Sequence, residues 1–180
     1  MQRLSSGVLA ALILALVAGA LQAGSITFSG DTTGQPTWNR TTSGEPPTSL
    51  SGVGTAVPYQ TWPFTVSAGG TYVLEIIAAV YGDSFLSLYQ TSFDPTSQFT
   101  NALSADDDSG VDLLSRIDYG LLVGTQYYMV VSGFDNDDFG TYTANISGPG
   151  DISLTGVVPE PGTWLLLGAG MMGLWLLRRR

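Results

Sequence analysis

Apolar residues fall in two kinds of pattern along this chain. At either end they run together without charge: Leu4 to Val17, interrupted only by Ser5 and Ser6, and Thr163 to Leu177. Between these runs they alternate with polar residues, the period of a strand with one buried face. Ser25-Ile26-Thr27-Phe28 reads as a first strand. Tyr59 to Val66 reads as another, with Pro63 pointing to an edge or a bulge because it has no amide proton to give a ladder. In Thr71 to Val80, Tyr72, Leu74 and Ile76 share one face, opposite Val73, Glu75 and Ile77. Ser84 to Tyr89 sets Phe85, Ser87 and Tyr89 against Leu86 and Leu88. Leu113 to Tyr119 places Leu114, Arg116 and Asp118 together. Gln126 to Ser132 is the most apolar of these strands, and Thr141 to Ser147 puts Tyr142, Ala144 and Ile146 on one face. Asp151 to Thr155 is a last short strand or linker. Turns rich in Gly, Ser and Asp separate these stretches. Thr91 to Ala105 is polar and irregular. From Asp31 to Pro58 the chain is rich in Thr, Ser, Gly and Pro, with Trp38 as its one aromatic group. That span reads as a long loop or edge with Trp38 tucked onto the body, or else as an exposed linker.

About eight short strands with one apolar face each are buried most economically as two packed antiparallel sheets. The fold class expected is therefore all-β, an antiparallel β-sandwich, flanked by an N-terminal signal helix and a C-terminal hydrophobic helix. The divisions expected are a signal peptide over 1–23, a first strand and Ser/Thr/Gly/Pro-rich loop over 24–57, the sandwich over 58–156 and a tail over 157–180.

Composition narrows the function. The chain has no histidine, no cysteine and no lysine, and its net charge is −9. All but one of its 15 acidic residues lie between Gly24 and Val158, where Arg40 and Arg116 are the only cations. Such a surface repels phosphates, so nucleic acid is not an expected partner. Histidine- or lysine-based catalysis and histidine or cysteine metal sites are excluded by residue type. So are disulfides and a lipid-bearing cysteine. Asp108-Ser109-Gly110 matches the aspartic protease tripeptide but lacks the second carboxylate loop that this chemistry shares a proton with. The body is expected to be noncatalytic.

The ends have the character of processing signals. Met1-Gln2-Arg3 is a short basic start, Leu4 to Val17 an apolar core and Ala18-Gly19-Ala20 a small-x-small cleavage site, the pattern read by signal peptidase. At the other end comes Val158-Pro159-Glu160-Pro161-Gly162, then the apolar run, then Arg178-Arg179-Arg180. As a helix the run would span about 22 Å, short of a hydrocarbon core of about 30 Å. The arginines would hold its end in the cytoplasm. Val158, Pro159, Glu160, Pro161 and Arg178, Arg179, Arg180 resemble, in this order, the PEP-CTERM sorting signal of exported Gram-negative proteins. The resemblance implies export, transient retention in the inner membrane, processing by an exosortase, and delivery to the cell surface or an exopolysaccharide matrix. An ordinary membrane anchor is the other reading of the same segment.

A second resemblance covers roughly Thr61 to Ile146. Phe85-Leu86-Ser87-Leu88-Tyr89, Asp106-Asp107-Asp108-Ser109-Gly110, Ser115-Arg116-Ile117, Gly124-Thr125-Gln126-Tyr127-Tyr128 and Gly140-Thr141-Tyr142-Thr143 resemble the bacterial pre-peptidase C-terminal domain. That family implies a sandwich of jelly-roll type serving as an accessory or binding module.

Two acidic loops are the one feature with candidate chemistry. Asp106, Asp107, Asp108 and Asp112 form the first; Asp135, Asp137 and Asp138 form the second. Both follow strand ends, so a sandwich could bring them to one pole. There they point to calcium, which takes oxygen ligands from carboxylates and loop carbonyls. A solvated acidic surface with aspartates serving turns is the competing reading. Trp38, Trp62, Tyr59, Tyr89 and Tyr128 offer either a sugar-stacking face or core packing. A calcium-dependent carbohydrate-binding or adhesion module is thus the alternative to a plain matrix protein.

Overall fold

The computed structural model describes residues 23–156. The sorting motif, the signal peptide and the two flanking hydrophobic helices expected from the sequence lie outside them. Among the described residues no helix is long and apolar enough to cross a membrane.

Among the described residues ten strands form, all paired antiparallel: β1 (Gly24–Asp31), β2 (Thr37–Trp38), β3 (Val57–Val66), β4 (Gly70–Ala79), β5 (Ser84–Gln90), β6 (Ala102–Asp106), β7 (Arg116–Leu121), β8 (Tyr127–Gly133), β9 (Thr141–Gly148) and β10 (Ile152–Leu154). One sheet runs β1-β9-β4-β7; the other runs β10-β3-β8-β5-β6, with β2 paired to β3. The pairs β1 with β9, β3 with β8, β4 with β7 and β5 with β6 are nested inside one another. This is a long antiparallel ribbon rolled into two sheets, the winding of a jelly roll.

The inner faces of both sheets supply one core. Tyr72, Leu74 and Ile76 of β4, Ile117 and Leu121 of β7, and Tyr142, Ala144 and Ile146 of β9 meet Phe64 and Val66, Leu86 and Leu88, and Tyr127, Met129 and Val131 from the other sheet. These are the faces that alternation assigns, because successive side chains leave a strand on opposite sides. Tyr72 closes one end. Its hydroxyl donates to the Ala68 carbonyl at 2.9 Å and accepts from the Gly150 amide at 3.0 Å. Gly148 is glycine for a steric reason, since a Cβ there would overlap the Tyr72 ring.

Strand β5 departs from simple alternation: Ser84 to Tyr89 is buried on both faces. The reason is the segment between β1 and β3, which is neither linker nor plain loop. It lies over the outer face of β5 and β8 and makes a second, smaller core of Trp38, Val57, Tyr89 and Val130, flanked by Tyr59, Phe93, Ala102 and Tyr128. Trp38 meets the Tyr59 ring at 5.7 Å and the Phe93 ring at 5.3 Å. The segment is tied internally by Arg40 N–H to Gly54 O at 3.0 Å and Thr42 N–H to Ser49 O at 2.9 Å. Gly44 exchanges two backbone bonds with Ala105, both 2.9 Å, so the segment also covers the outer edge of β6. The boundary drawn at 57/58 therefore runs through one body. β1 and β2 are built into the same two sheets as the strands after them.

Pro63 sits within β3, not at its end. On the edge away from β8, β2 pairs only with Val57 and Pro58, and β10 only with Phe64 to Val66. Pro63 falls in the stretch that neither strand pairs, which is where a residue without an amide proton costs least. Strand β7 begins at Arg116, later than expected, because Ser115 is drawn to β5. Its amide donates to Ser84 Oγ at 2.8 Å and its hydroxyl to Ser84 O at 2.7 Å. β6 forms in a stretch that reads as irregular from its sequence.

Candidate functional site

Three connections meet at one end of the sandwich: the β4–β5 turn with Asp83, the β6–β7 loop with Asp106 to Asp112, and the β8–β9 loop with Asp135 to Asp138. The segment between β1 and β3, which forms a lid over β5 and β8, reaches the same end. Ala56 N–H donates to Asn136 Oδ1 at 2.7 Å, and Asn136 Nδ2 donates to Thr55 Oγ1 at 3.1 Å.

The aspartates there have different tasks. Asp106 staples its loop: one oxygen accepts from the Ser109 amide at 3.1 Å and the Arg116 amide at 2.8 Å, the other from the Ser109 hydroxyl. Asp138 accepts from the Asp135 amide at 2.8 Å, and Asp135 accepts from the Asn136 amide at 2.5 Å. Asp112 has a left-handed backbone (φ 58°) and is exposed, as is Asp137. These five act in or beside turns.

Asp107 and Asp108 come together with Asp83. Each can offer an oxygen such that all three lie within 4.8 Å of one another. Oδ1 of Asp83 and Oδ1 of Asp107 are shielded from solvent and accept no hydrogen bond. Burial, then the charge of Asp108, pushes the Asp107 carboxyl up to about 6, against the pull of Arg40. Burial, then Asp108 and Asp138, raises Asp83 as well, again opposed by Arg40. Mutual repulsion in a partly dry site is the common cause. The grouping joins two of the seven aspartates expected from the sequence with one that reads there only as a turn residue.

Arg40 is the other residue that sequence reading passes over. It is buried, 2 % exposed. Its guanidinium lies between the rings of Phe85 (3.9 Å to the centroid) and Phe134 (4.6 Å). Nε and Nη2 donate to the Phe134 carbonyl at 3.0 and 2.7 Å, and Nη1 donates to the Thr41 carbonyl at 3.0 Å. Burial lowers its pKa; Asp107, Asp83, Asp135 and Asp138 act to raise it. Arg40 thus holds the lid to the β8–β9 loop and sets a positive charge behind the carboxylates. A single cation inside a Ser/Thr/Gly/Pro-rich stretch was the available signal, and it gave no partner.

The aromatic set divides. Trp38 and Tyr89 are buried and cannot stack on a sugar. Trp62 packs on Phe28, 4.5 Å between ring centroids, and its indole N–H donates to the Tyr142 hydroxyl at 2.6 Å. That hydroxyl donates to Gln60 Oε1 at 2.8 Å. Tyr59 and Trp62 border a groove of about 380 Å³ along the unpaired edge of β3, with Gln35, Pro36, Pro63 and Gly156 completing its walls.

The described body is therefore an antiparallel β-sandwich with an acidic pole and, along the middle of β3, a stretch of strand edge left unpaired. Residues 157–180 match the PEP-CTERM protein-sorting motif. The match covers the tail alone. Among solved structures, CBM35 from Cellvibrio japonicus Abf62 is similar at 14 % identity over 73 % of this chain and 97 % of that one, with a TM-score of 0.36. A likeness that loose fixes neither fold nor ligand. No curated protein matches the chain.

Proposed function

We propose that this is an exported, noncatalytic β-sandwich protein that an exosortase processes at its C-terminal motif, after transient retention in the inner membrane, for delivery to the cell surface or an exopolysaccharide matrix. The match of residues 157–180 to the PEP-CTERM protein-sorting motif carries this reading. The signal-peptide pattern of residues 1–23 supports it from the other end. The absence of histidine, lysine and cysteine supports a noncatalytic role. The resemblance to the pre-peptidase C-terminal domain, with a nested winding suited to it, supports an accessory module. The test is an intact-mass measurement of the protein from a host with its exosortase and from the same host lacking it. Both ends should be trimmed in the first, and the tail should remain in the second. A tail kept in both overturns the reading.

The convergence of Asp83, Asp107 and Asp108, with two shielded oxygens lacking donors, favours a second reading, a calcium-dependent adhesion module. The donor set fits a hard cation, since calcium takes carboxylates completed by loop carbonyls. Arg40 works against it. At a free calcium tenfold above the dissociation constant the gain is about 1.4 kcal/mol, a rise in Tm of about 4 °C. Thermal melts with and without millimolar calcium test this. The rise should vanish in Asp107→Asn, and its absence in the native chain removes the reading. Glycan binding with and without a chelator then separates an adhesion module from a plain matrix component.

A further inference from the structure

Most strand edges of this sandwich are guarded. β7 carries the charges of Arg116 and Asp118, β6 is bridged by Gly44, and β3 is covered at its two ends by β2 and β10 with Pro63 between them. β1 differs. It is eight residues long, pairs with β9 in unbroken register, and has no proline and no charge from Gly24 to Gly30. Prolines, charges and bulges are the usual means by which an edge avoids recruiting another strand.

The direction of each backbone group on β1 follows from its neighbours. Thr32 donates its amide toward β9, to Gly140 O at 3.0 Å, whereas Asp31 donates its amide away from β9, to Gln60 Oε1 at 3.0 Å. On β9, Thr141 gives its carbonyl to the Val80 amide at 3.0 Å and so turns away from Asp31. These directions alternate along an antiparallel pair. Gly24, Ile26, Phe28 and Gly30 therefore bond to β9, and Ser25, Thr27 and Ser29 turn both amide and carbonyl outward. Among the described residues no strand pairs with that side of β1 and no group bonds to these six. Ser25, Thr27 and Ser29 are exposed, and Ile26 and Phe28 are only half-buried at the rim of the core.

The edge is complementary to itself. Ser25-Ile26-Thr27-Phe28-Ser29 reads hydroxyl, apolar, hydroxyl, apolar, hydroxyl in either direction. A twofold axis at Thr27 sets Thr27 opposite Thr27, Ser25 opposite Ser29 and Ile26 opposite Phe28. The hydroxyl pairs are then the hydrogen-bonded ones, exchanging both backbone bonds, so all six free groups of each copy are satisfied. Ile26 and Phe28 form the closer pair and join the two half-buried rims. An axis at Phe28 would set Ser25 against Asp31, whose amide Gln60 already holds. An axis at Ile26 would set Phe28 against Gly24, which has no side chain to meet it. We infer that β1 is a self-association edge, on which two copies of this chain pair Gly24–Gly30 antiparallel about Thr27 and join their four-stranded sheets into one continuous sheet. The contact is isologous, the same strand on both sides, as a closed dimer requires. It brings no charge against another along the paired residues of an otherwise anionic body, so salt should tighten it by screening the rest. Neither the sorting reading nor the calcium reading is needed for it.

The chain has no cysteine, so introduced thiols report cleanly. In the full-length protein in detergent, Thr27→Cys should form an intermolecular disulfide under mild oxidation. Opposed hydrogen-bonded residues have Cα atoms about 5.5 Å apart, within disulfide reach. Ser25→Cys, equally exposed, should form one about tenfold more slowly, because its counterpart lies about 13 Å further along the partner strand. Equal rates, a faster Ser25→Cys, or no disulfide in either overturns the inference. Independently, sedimentation should show a dimer of the native chain. Thr27→Lys sets two like charges across the axis and leaves the β9 ladder intact, so it should weaken that dimer about tenfold. A native chain that stays monomeric overturns the inference, and so does a Thr27→Lys dimer of native strength, which would put the association on another surface. Slow hydrogen exchange at the Ser25, Thr27 and Ser29 amides in a monomer would show a different segment of the chain on this edge, and overturns it too.

Discussion

Arg40 shows how much one residue can hold. It satisfies two buried carbonyls, fills the space between two rings and offsets four nearby carboxylates. Arg40→Met keeps most of the volume but leaves the Phe134 and Thr41 carbonyls without donors and the carboxylates without their counter-charge. It should lower stability by about 3 kcal/mol, read as a drop in the urea midpoint. Asp107 gives a pH signature. Its carboxyl is raised from 3.8 to about 6, so between those values the folded state holds more proton than the unfolded one. Stability should then fall as pH rises from about 4 to about 6, with Asp83 adding in the same direction. Asp107→Asn should flatten this slope in urea titrations across that range. Asp31 and Asp94, lowered by hydrogen bonds from Thr33 and Thr96, act in the opposite sense and only below the ordinary carboxylate value. None of this could be read from residue type. Asp83 and Asp107 are 24 positions apart, and only the folded turns bring them within reach.

At the scale of elements, most of the sandwich could be read from alternation. Tyr72, Leu74 and Ile76 face inward as their spacing requires, and Tyr142, Ala144 and Ile146 do the same. β5 shows where alternation stops being informative. A strand buried on both faces needs a partner for its second face, and that partner is a Ser/Thr/Gly/Pro segment with no period of its own. β6 was equally hidden, since it is defined by its pairing with β5 and with Gly44 more than by its own residues. Trp38 is the pin of the lid. Trp38→Ala should cost about 3 kcal/mol, read as a lower denaturant midpoint for the whole transition.

At the scale of the molecule, the lid, the two sheets and the acidic pole share buried groups, so they should not come apart separately. In a chain trimmed to residues 23–156, Trp38 lies in the lid and Trp62 in the sandwich. With either one replaced by Phe, the fluorescence of the other should report the same denaturant midpoint as circular dichroism, as one cooperative unit requires. Distinct midpoints would mean two units. The C-terminal sorting motif, by contrast, was legible from the sequence at once, because its pattern is local: a charge-free run, a proline elbow and a basic stop need no tertiary partner to be recognised.

The placement of Arg40 has a colloidal outcome. With that charge sunk inside, Arg116 is the last cation among the described residues, and it is already engaged by Asp118 at 3.0 Å and Glu75 at 3.5 Å. Neighbouring copies at high concentration would meet with anionic surfaces on both sides. Their spacing should therefore follow ionic strength, wide at low salt and close once salt shortens the electrostatic range to about 10 Å.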